Sequence, residues 1–248
     1  MENLRRVGGF TLVEVISALF LGGLLMSSVY LVMISGQKSS TGVERKVAAQ
    51  QDVRAALDIM AMEIGMASYN PTFALPQIWV NPSTCTGASA NPQYRGIQAA
   101  GPMGITVEMD IDNPTGPQED GVISGPNEII TYAYDSGSQT LTRSTNCGSA
   151  GPFLGGGTGA VAGTKWENLI NSTAGTNNGQ NNAAIFRYYD SADNELYPDN
   201  DLTAIPKIRR VDIALAVQTE EMDPSTRNSR QMIYSTTVLV RNHGISLN

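Results

Sequence analysis

The chain has 248 residues, a net charge of −7, 41% hydrophobic residues and only 16% charged ones. That length fits one or two domains, and a total of 16 Lys and Arg excludes the Lys/Arg-rich face of a basic nucleic-acid binder. One histidine, His243, excludes a multi-histidine metal site within the chain, and two cysteines, Cys85 and Cys147, are too few for a four-thiolate zinc site.

The first nine residues, MENLRRVGG, form a short polar leader with Arg5 and Arg6. Gly9-Phe10-Thr11-Leu12-Val13-Glu14 follows, and residues 15–34, VISALFLGGLLMSSVYLVMI, then carry no charge. As a helix, such a run spans about 30 Å, the thickness of a bilayer's hydrocarbon core. It exceeds the apolar region of a secretory signal, about 7–15 residues, and no A-x-A-like site closes it. The reading is a membrane-spanning helix rather than a buried core helix. Glu14 stands at its start. A carboxylate at membrane depth costs on the order of 2.5–3.5 kcal/mol when central, so Glu14 needs a partner or a route to water. Arg5 and Arg6 place the leader on the cytoplasmic side, although Lys38, Arg45 and Lys46 on the far flank weaken the charge asymmetry.

Beyond the apolar run, no proline occurs before Pro71. Val53, Ala56, Leu57, Met60, Ile64 and Ala67 recur at helical spacings of three and four, with Asp52, Asp58 and Glu63 mostly off the stripe. The pattern predicts one helix over residues 10–69, about 90 Å long, whose second half docks an apolar face on a globular head. Met60, Met62 and Met66 read as core filler. Gly22-Gly23 fits the ordinary glycine content of spanning helices.

Pro71, Pro76, Pro82 and Pro92 then stop the helix. Strands are predicted at residues 105–110, 128–134, 140–143, 185–189, 211–217 and 233–241, with residues 135–139 as a hairpin turn. Asp110, Asp112, Asn113, Glu119 and Asp120 cluster between the first two. Oxygen ligands on a loop suit calcium, but Pro114 breaks the EF-hand spacing, and the alternative is a solvated acidic loop. No other cofactor is implied. Residues 147–182, with Gly155-Gly156-Gly157 and a run of Asn from Asn177 to Asn182, read as an exposed loop. Gly163-Thr164-Lys165 fails the phosphate-loop pattern, and Asn171-Ser172-Thr173 is a weak glycosylation triplet. His243 is expected to be solvated or structurally hydrogen-bonded. With no nucleophile–base or metal constellation, the chain does not read as an enzyme. The elements predict an α+β fold in which the long helix packs on an antiparallel β-sheet.

The N-terminal string resembles the processing site of type IV prepilins and pseudopilins. A basic leader, Gly9 before the cut, Phe10 after it, Glu14 at the fifth processed position and a spanning helix coincide. The resemblance implies cleavage after Gly9 by a prepilin peptidase, N-methylation of Phe10, and pairing of Glu14 with the N-terminal amine of a neighbouring subunit. It also implies a pilin-like helix spine with a β-sheet head. Residues 1–9 would be the leader, 10–35 the transmembrane or filament-core helix, 36–69 the amphipathic half and 70–248 a periplasmic head. Residues 53–69, the 128–143 hairpin and the ending Val240-Arg241-Asn242-His243-Gly244 resemble the PilW type of minor pilin. The J-type pseudopilin of type II secretion is similar in plan, and a pilus-displayed adhesin is a third reading. Retention of Glu14 sets the chain apart from the large tip pseudopilin. The resemblance implies a single pass through the bacterial inner membrane with the N-terminus cytoplasmic, and incorporation into a pilus or pseudopilus. The partners implied are other minor and major pilins and the inner-membrane assembly platform, with no nucleic acid. In that oxidising setting Cys85 and Cys147 are expected to form one bridge, the alternative being two separate thiols. A bridge closes a loop of about 63 residues and on chain-entropy grounds adds roughly 4 kcal/mol.

Overall fold

The structure is a computed structural model. It describes residues 9–72, 78–111, 120–156, 167–171, 184–222 and 229–244. The leader up to residue 8, Pro76, Asp112, Asn113, Glu119, Lys165 and the Asn177–Asn182 run lie outside the described residues.

Helix α1 runs from Leu12 to Gly65, 54 residues. It is shorter at both ends than the predicted 10–69. At its start, Thr11 acts as a cap. At its end the last turn tightens, with Ala67 N–H donating to Ile64 (3.1 Å) and Tyr69 N–H to Met66 (2.9 Å). Ser68 then turns left-handed at φ 66, and its N–H leaves the helix to donate to the Glu108 carbonyl at 2.9 Å. The helix therefore ends by joining the sheet, several residues before Pro71.

The chain divides into two compact units, Met1–Arg45 and Lys46–Asn248. The first is helical. Its stretch Leu12–Gln37 has a mean hydropathy of 2.1 and none of it is buried. Phe10, Leu19, Phe20, Leu25 and Met26 all stand exposed. A 26-residue apolar helix is long enough to cross a bilayer.

The second unit is the head, and it contains the remainder of α1. Five strands form an antiparallel meander in the order β1-β2-β3-β4-β5: Ile97–Gly101, Gly104–Glu108, Ile129–Asp135, Thr140–Thr145 and Gly151–Gly155. A second antiparallel sheet has the order β10-β9-β7-β8, with β6 also paired to β9. Its strands are β6 (Glu167–Leu169), β7 (Phe186–Tyr189), β8 (Glu195–Leu196), β9 (Arg210–Met222) and β10 (Ser229–Leu239). Tyr188 of β7 bridges to the first sheet, donating its O–H to the Gly101 carbonyl (2.8 Å) and accepting the Gly101 N–H (3.1 Å). The long helix on an antiparallel β head is the expected pilin-like α+β arrangement.

Two expectations are corrected. Two sheets form where one was expected. The segment 147–182, read as loop from its glycines, contributes β5 and β6. Gly155 explains the misreading: at φ +86, a Cβ there would lie 2.5 Å from the Gln139 carbonyl and 2.5 Å from Leu169 Cδ1. Glycine at this position permits close strand packing. Strand β2 also departs from simple alternation. Both of its faces are covered, so Thr106 and Glu108 are buried beside Ile105 and Val107.

Val53, Ala56, Leu57, Met60, Ile64 and Ala67 all lie in the core, packed with Ile105, Val107, Ile130, Leu141, Val211, Ile213 and Val238 among others. The 3.6-residue period of the helix sets that stripe, and burial of each large apolar side chain contributes about 1.5–3 kcal/mol. Met60 is core filler. Met66 packs at the core's margin. Met62 is 60% exposed and does not fill the core.

Candidate functional site

The N-terminal candidates sit at the start of α1. Thr11 N–H and Thr11 O–H both donate to Glu14 Oε2 at 2.9 Å. Glu14 N–H donates back to Thr11 Oγ at 3.3 Å. This is a reciprocal capping box, Thr-x-x-Glu, which satisfies backbone donors that the first helical turn leaves open. The sequence spacing alone signals it, and the reading of Glu14 as an intersubunit partner or a carboxylate reaching water missed it. Glu14 also places negative charge in the helix's first turn, where the macrodipole favours it. Gly9 and Phe10 precede the helix, and both are exposed.

A second polar group lies inside the head. Glu63, placed by its spacing on the polar side of α1, is buried. Its carboxylate accepts from Arg143 Nη2 at 2.6 Å and Nε at 3.1 Å, and from the Tyr132 hydroxyl. The bidentate fork of Arg143 thus ties the helix to β4, and Tyr132 ties it to β3. The hydrogen bonds to Glu63 hold the Arg143 guanidinium still more firmly in its charged form. Burial, reinforced by the Glu63 carboxylate, pushes the Tyr132 phenol upward.

His243 is also buried, in the 3-10 turn Asn242–Gly244 that follows β10. Its Nδ1 lies 2.7 Å from Ser68 Oγ and its Nε2 lies 2.8 Å from the Ile205 carbonyl. It is structurally hydrogen-bonded, one of the two states expected of it.

Cys85 and Cys147 are joined in a disulfide with a Cα–Cα distance of 5.8 Å. The bridge fastens the loop after Val80 to the end of β4. Beside that loop, Ile78, Trp79, Ile123 and Ile129 form a small separate core.

Of the acidic candidates, Asp110 is fully buried and accepts the Gly121 N–H at 3.0 Å. Asp120 accepts the Val122 N–H at 2.9 Å. Asp112, Asn113 and Glu119 lie outside the described residues. Among the described residues no group of three or more His, Cys, Asp or Glu is placed to hold a metal ion. The acids seen here pin loops instead. Glu128, which the sequence reading did not single out, does the same for three backbone groups: the N–H of Ile111 (3.0 Å), Ser124 (2.7 Å) and Gly125 (2.6 Å). Glu108 accepts the Val80 N–H at 3.1 Å, and burial pushes its carboxyl up to about 8.

Asn171, first residue of the glycosylation triplet, is buried. Its amide donates to the Ala214 carbonyl and accepts the Ala216 N–H, each at 2.9 Å. The side chain acts as a short extension of β6 along β9 and is not presented for modification.

Residues 4–30 match the family described as the prokaryotic N-terminal methylation motif. No curated protein and no solved structure matches the chain. A prepilin-type methylation motif on a pilin-like helix-and-sheet architecture is consistent with the type IV pilin and pseudopilin superfamily in general, and with a structural role.

Proposed function

We propose that this chain is a minor pilin of the PilW type, a structural subunit that takes part in assembling or priming a type IV pilus. Prepilin peptidase removes residues 1–9, Phe10 becomes the methylated N-terminus, and the helix holds the head on the periplasmic side of the inner membrane. The observation that carries the reading is Glu14, the only charge between Phe10 and Ile34, inside the methylation motif matched over residues 4–30. In apolar surroundings a carboxylate is stabilised by a cationic partner. Cleavage at Gly9 creates a suitable amine at Phe10, and the same amine on a neighbouring subunit is placed to pair with Glu14 in a filament. The uncovered apolar helix supplies the surface that membrane or partner helices bury.

The test is deletion of the gene, followed by imaging of surface pili and assay of secreted proteins. Loss of pili with intact secretion is the expected result. Lost secretion with intact pili replaces the reading with a J-type pseudopilin. Normal pili that no longer adhere to a surface replace it with an adhesin.

A further inference from the structure

One ring joins four parts of the head that are far apart in sequence. Ser68 belongs to the exit of α1, Gly96 to the start of β1, Ile205 to the 3-10 turn Leu202–Lys207, and His243 to the turn after β10. Gly96 N–H lies 3.0 Å from Ser68 Oγ. Ser68 Oγ lies 2.7 Å from Nδ1, and Nε2 lies 2.8 Å from the Ile205 carbonyl. Only one assignment of hydrogens uses every atom. Gly96 N–H donates to Ser68 Oγ, Ser68 O–H donates to Nδ1, and Nε2–H donates to Ile205. Nδ1 is then an unprotonated acceptor; a protonated Nδ1 leaves the Ser68 hydroxyl proton without its partner, so this ring of contacts favours the neutral imidazole. The turn is fastened further by Arg95, whose Nη1 donates to the His243 carbonyl at 3.1 Å.

The surroundings oppose a charged ring. Arg95 and Arg209 both face it and repel an imidazolium. The nearby Glu108 gives its carbonyl to Ser68 N–H, while its carboxyl receives the Val80 N–H. Arg241, two residues earlier, lines a surface groove beside Met62 and Leu239. The ring is also withdrawn from water.

We propose that His243 is an acid-sensitive latch: while neutral it locks the C-terminal turn to the end of α1 and to the 202–207 turn, and protonation releases that turn before the rest of the head opens. Protonated Nδ1 confronts a hydroxyl that is already an acceptor for Gly96 and whose own proton loses its place. Burial first, then the two guanidiniums, pull the ring down to about 4 against the upward pull of the Ile205 hydrogen bond. An opened ring regains its ordinary value near 6.5. The opening constant therefore rises roughly tenfold for each pH unit lost between about 6.5 and 4.

Because the chain has a single histidine, the ring can be read without any variant. The full chain, in detergent micelles and with carbon-13-labelled histidine, is titrated from pH 7.5 to 4 by NMR. Amide exchange, referred to the intrinsic rate at each pH, is followed in parallel. The expected result is a ring that keeps its neutral signature to about pH 5. Protection at Leu202–Lys207 and Asn242–Gly244 falls well before protection at Ile129–Asp135 and Thr140–Thr145. In His243→Gln, which takes up no proton there, this early loss disappears. A ring that titrates near 6.5 with native protection intact overturns the latch. So does loss of protection over the whole head in a single step, and so does early opening that persists in His243→Gln. If that variant does not fold, the wild-type titration and exchange decide alone.

Discussion

Arg143 on β4 reaches Glu63 on α1 through two nitrogens, Nη2 to Oε1 at 2.6 Å and Nε to Oε2 at 3.1 Å, across a separation of 80 residues. Their side chains are 23% and 10% exposed, so the pair is screened less than a surface ion pair. Arg143→Met leaves the Glu63 carboxylate inside the head with Tyr132 as its remaining donor. We expect a loss of about 2–4 kcal/mol, read by urea unfolding of the full chain in micelles. Glu63→Leu combined with Arg143→Met is expected to cost less than Arg143→Met alone, because no charge is then stranded. A double variant less stable than the single one refutes this account of the pair.

Glu108 gives a pH dependence of the opposite sign to that of His243. Its carboxyl is raised to about 8 by burial from an ordinary value of 4.5. The folded state holds the proton and the unfolded state releases it above about 4.5. This group's contribution is therefore fully present below about 4.5 and is lost as pH rises towards 8. Glu108→Gln, which keeps an acceptor for Val80 N–H and cannot ionise, is expected to raise the thermal midpoint at pH 8 relative to wild type. The difference should shrink towards pH 5. A difference independent of pH contradicts the assignment.

Gly96 is where close approach forbids a side chain. A Cβ there would meet Ser68 N at 2.2 Å and the Glu108 carbonyl at 2.3 Å, both backbone atoms. The hydrogen bonds Gly96 N–H to Ser68 Oγ (3.0 Å) and Glu108 N–H to the Gly96 carbonyl (2.7 Å) depend on that approach. Gly96→Ala is expected to destabilise the head by roughly 2–4 kcal/mol. It should also raise protease sensitivity near residues 68–72. A thermal midpoint equal to wild type would show that the backbone relaxes freely here.

At the N-terminus the capping box and the proposed assembly role of Glu14 can be separated. Thr11→Ala removes one half of the box and is expected to cost the helix start about 1 kcal/mol, seen as faster amide exchange at Val13 and Glu14 in micelles. Glu14→Ala is expected to leave membrane insertion intact and to weaken incorporation into filaments. Fractionation and immunodetection on sheared pili measure the two effects. Normal incorporation of Glu14→Ala sinks the proposed pairing with a neighbour's amine.

The legible parts of this protein are those governed by local repeats. The apolar stripe from Val53 to Ala67 lands in the core as its spacing predicts, because helical periodicity depends only on neighbours three and four residues away. Strands β3 and β4 and the turn between them were equally readable, since hairpin pairing joins adjacent segments. The Thr11–Glu14 box is local too, and its Thr-x-x-Glu spacing was present to be read. The N-terminal methylation motif and the long apolar run needed no tertiary information.

Tertiary structure decided what depends on distant partners. Glycine-rich residues near Gly155 form a strand because Gln139 and Leu169 approach too closely for a Cβ. Asn171 is consumed by β9, more than forty residues away in the chain. Glu63 follows the polar pattern of its helix, yet Arg143 and Tyr132 turn it into an interior ion pair. His243 becomes a buried junction through Ser68, at a separation of 175 residues. A buried polar side chain is tolerable only with its hydrogen-bonding partner in place. Composition supplied the polar groups, and the fold alone chose their partners.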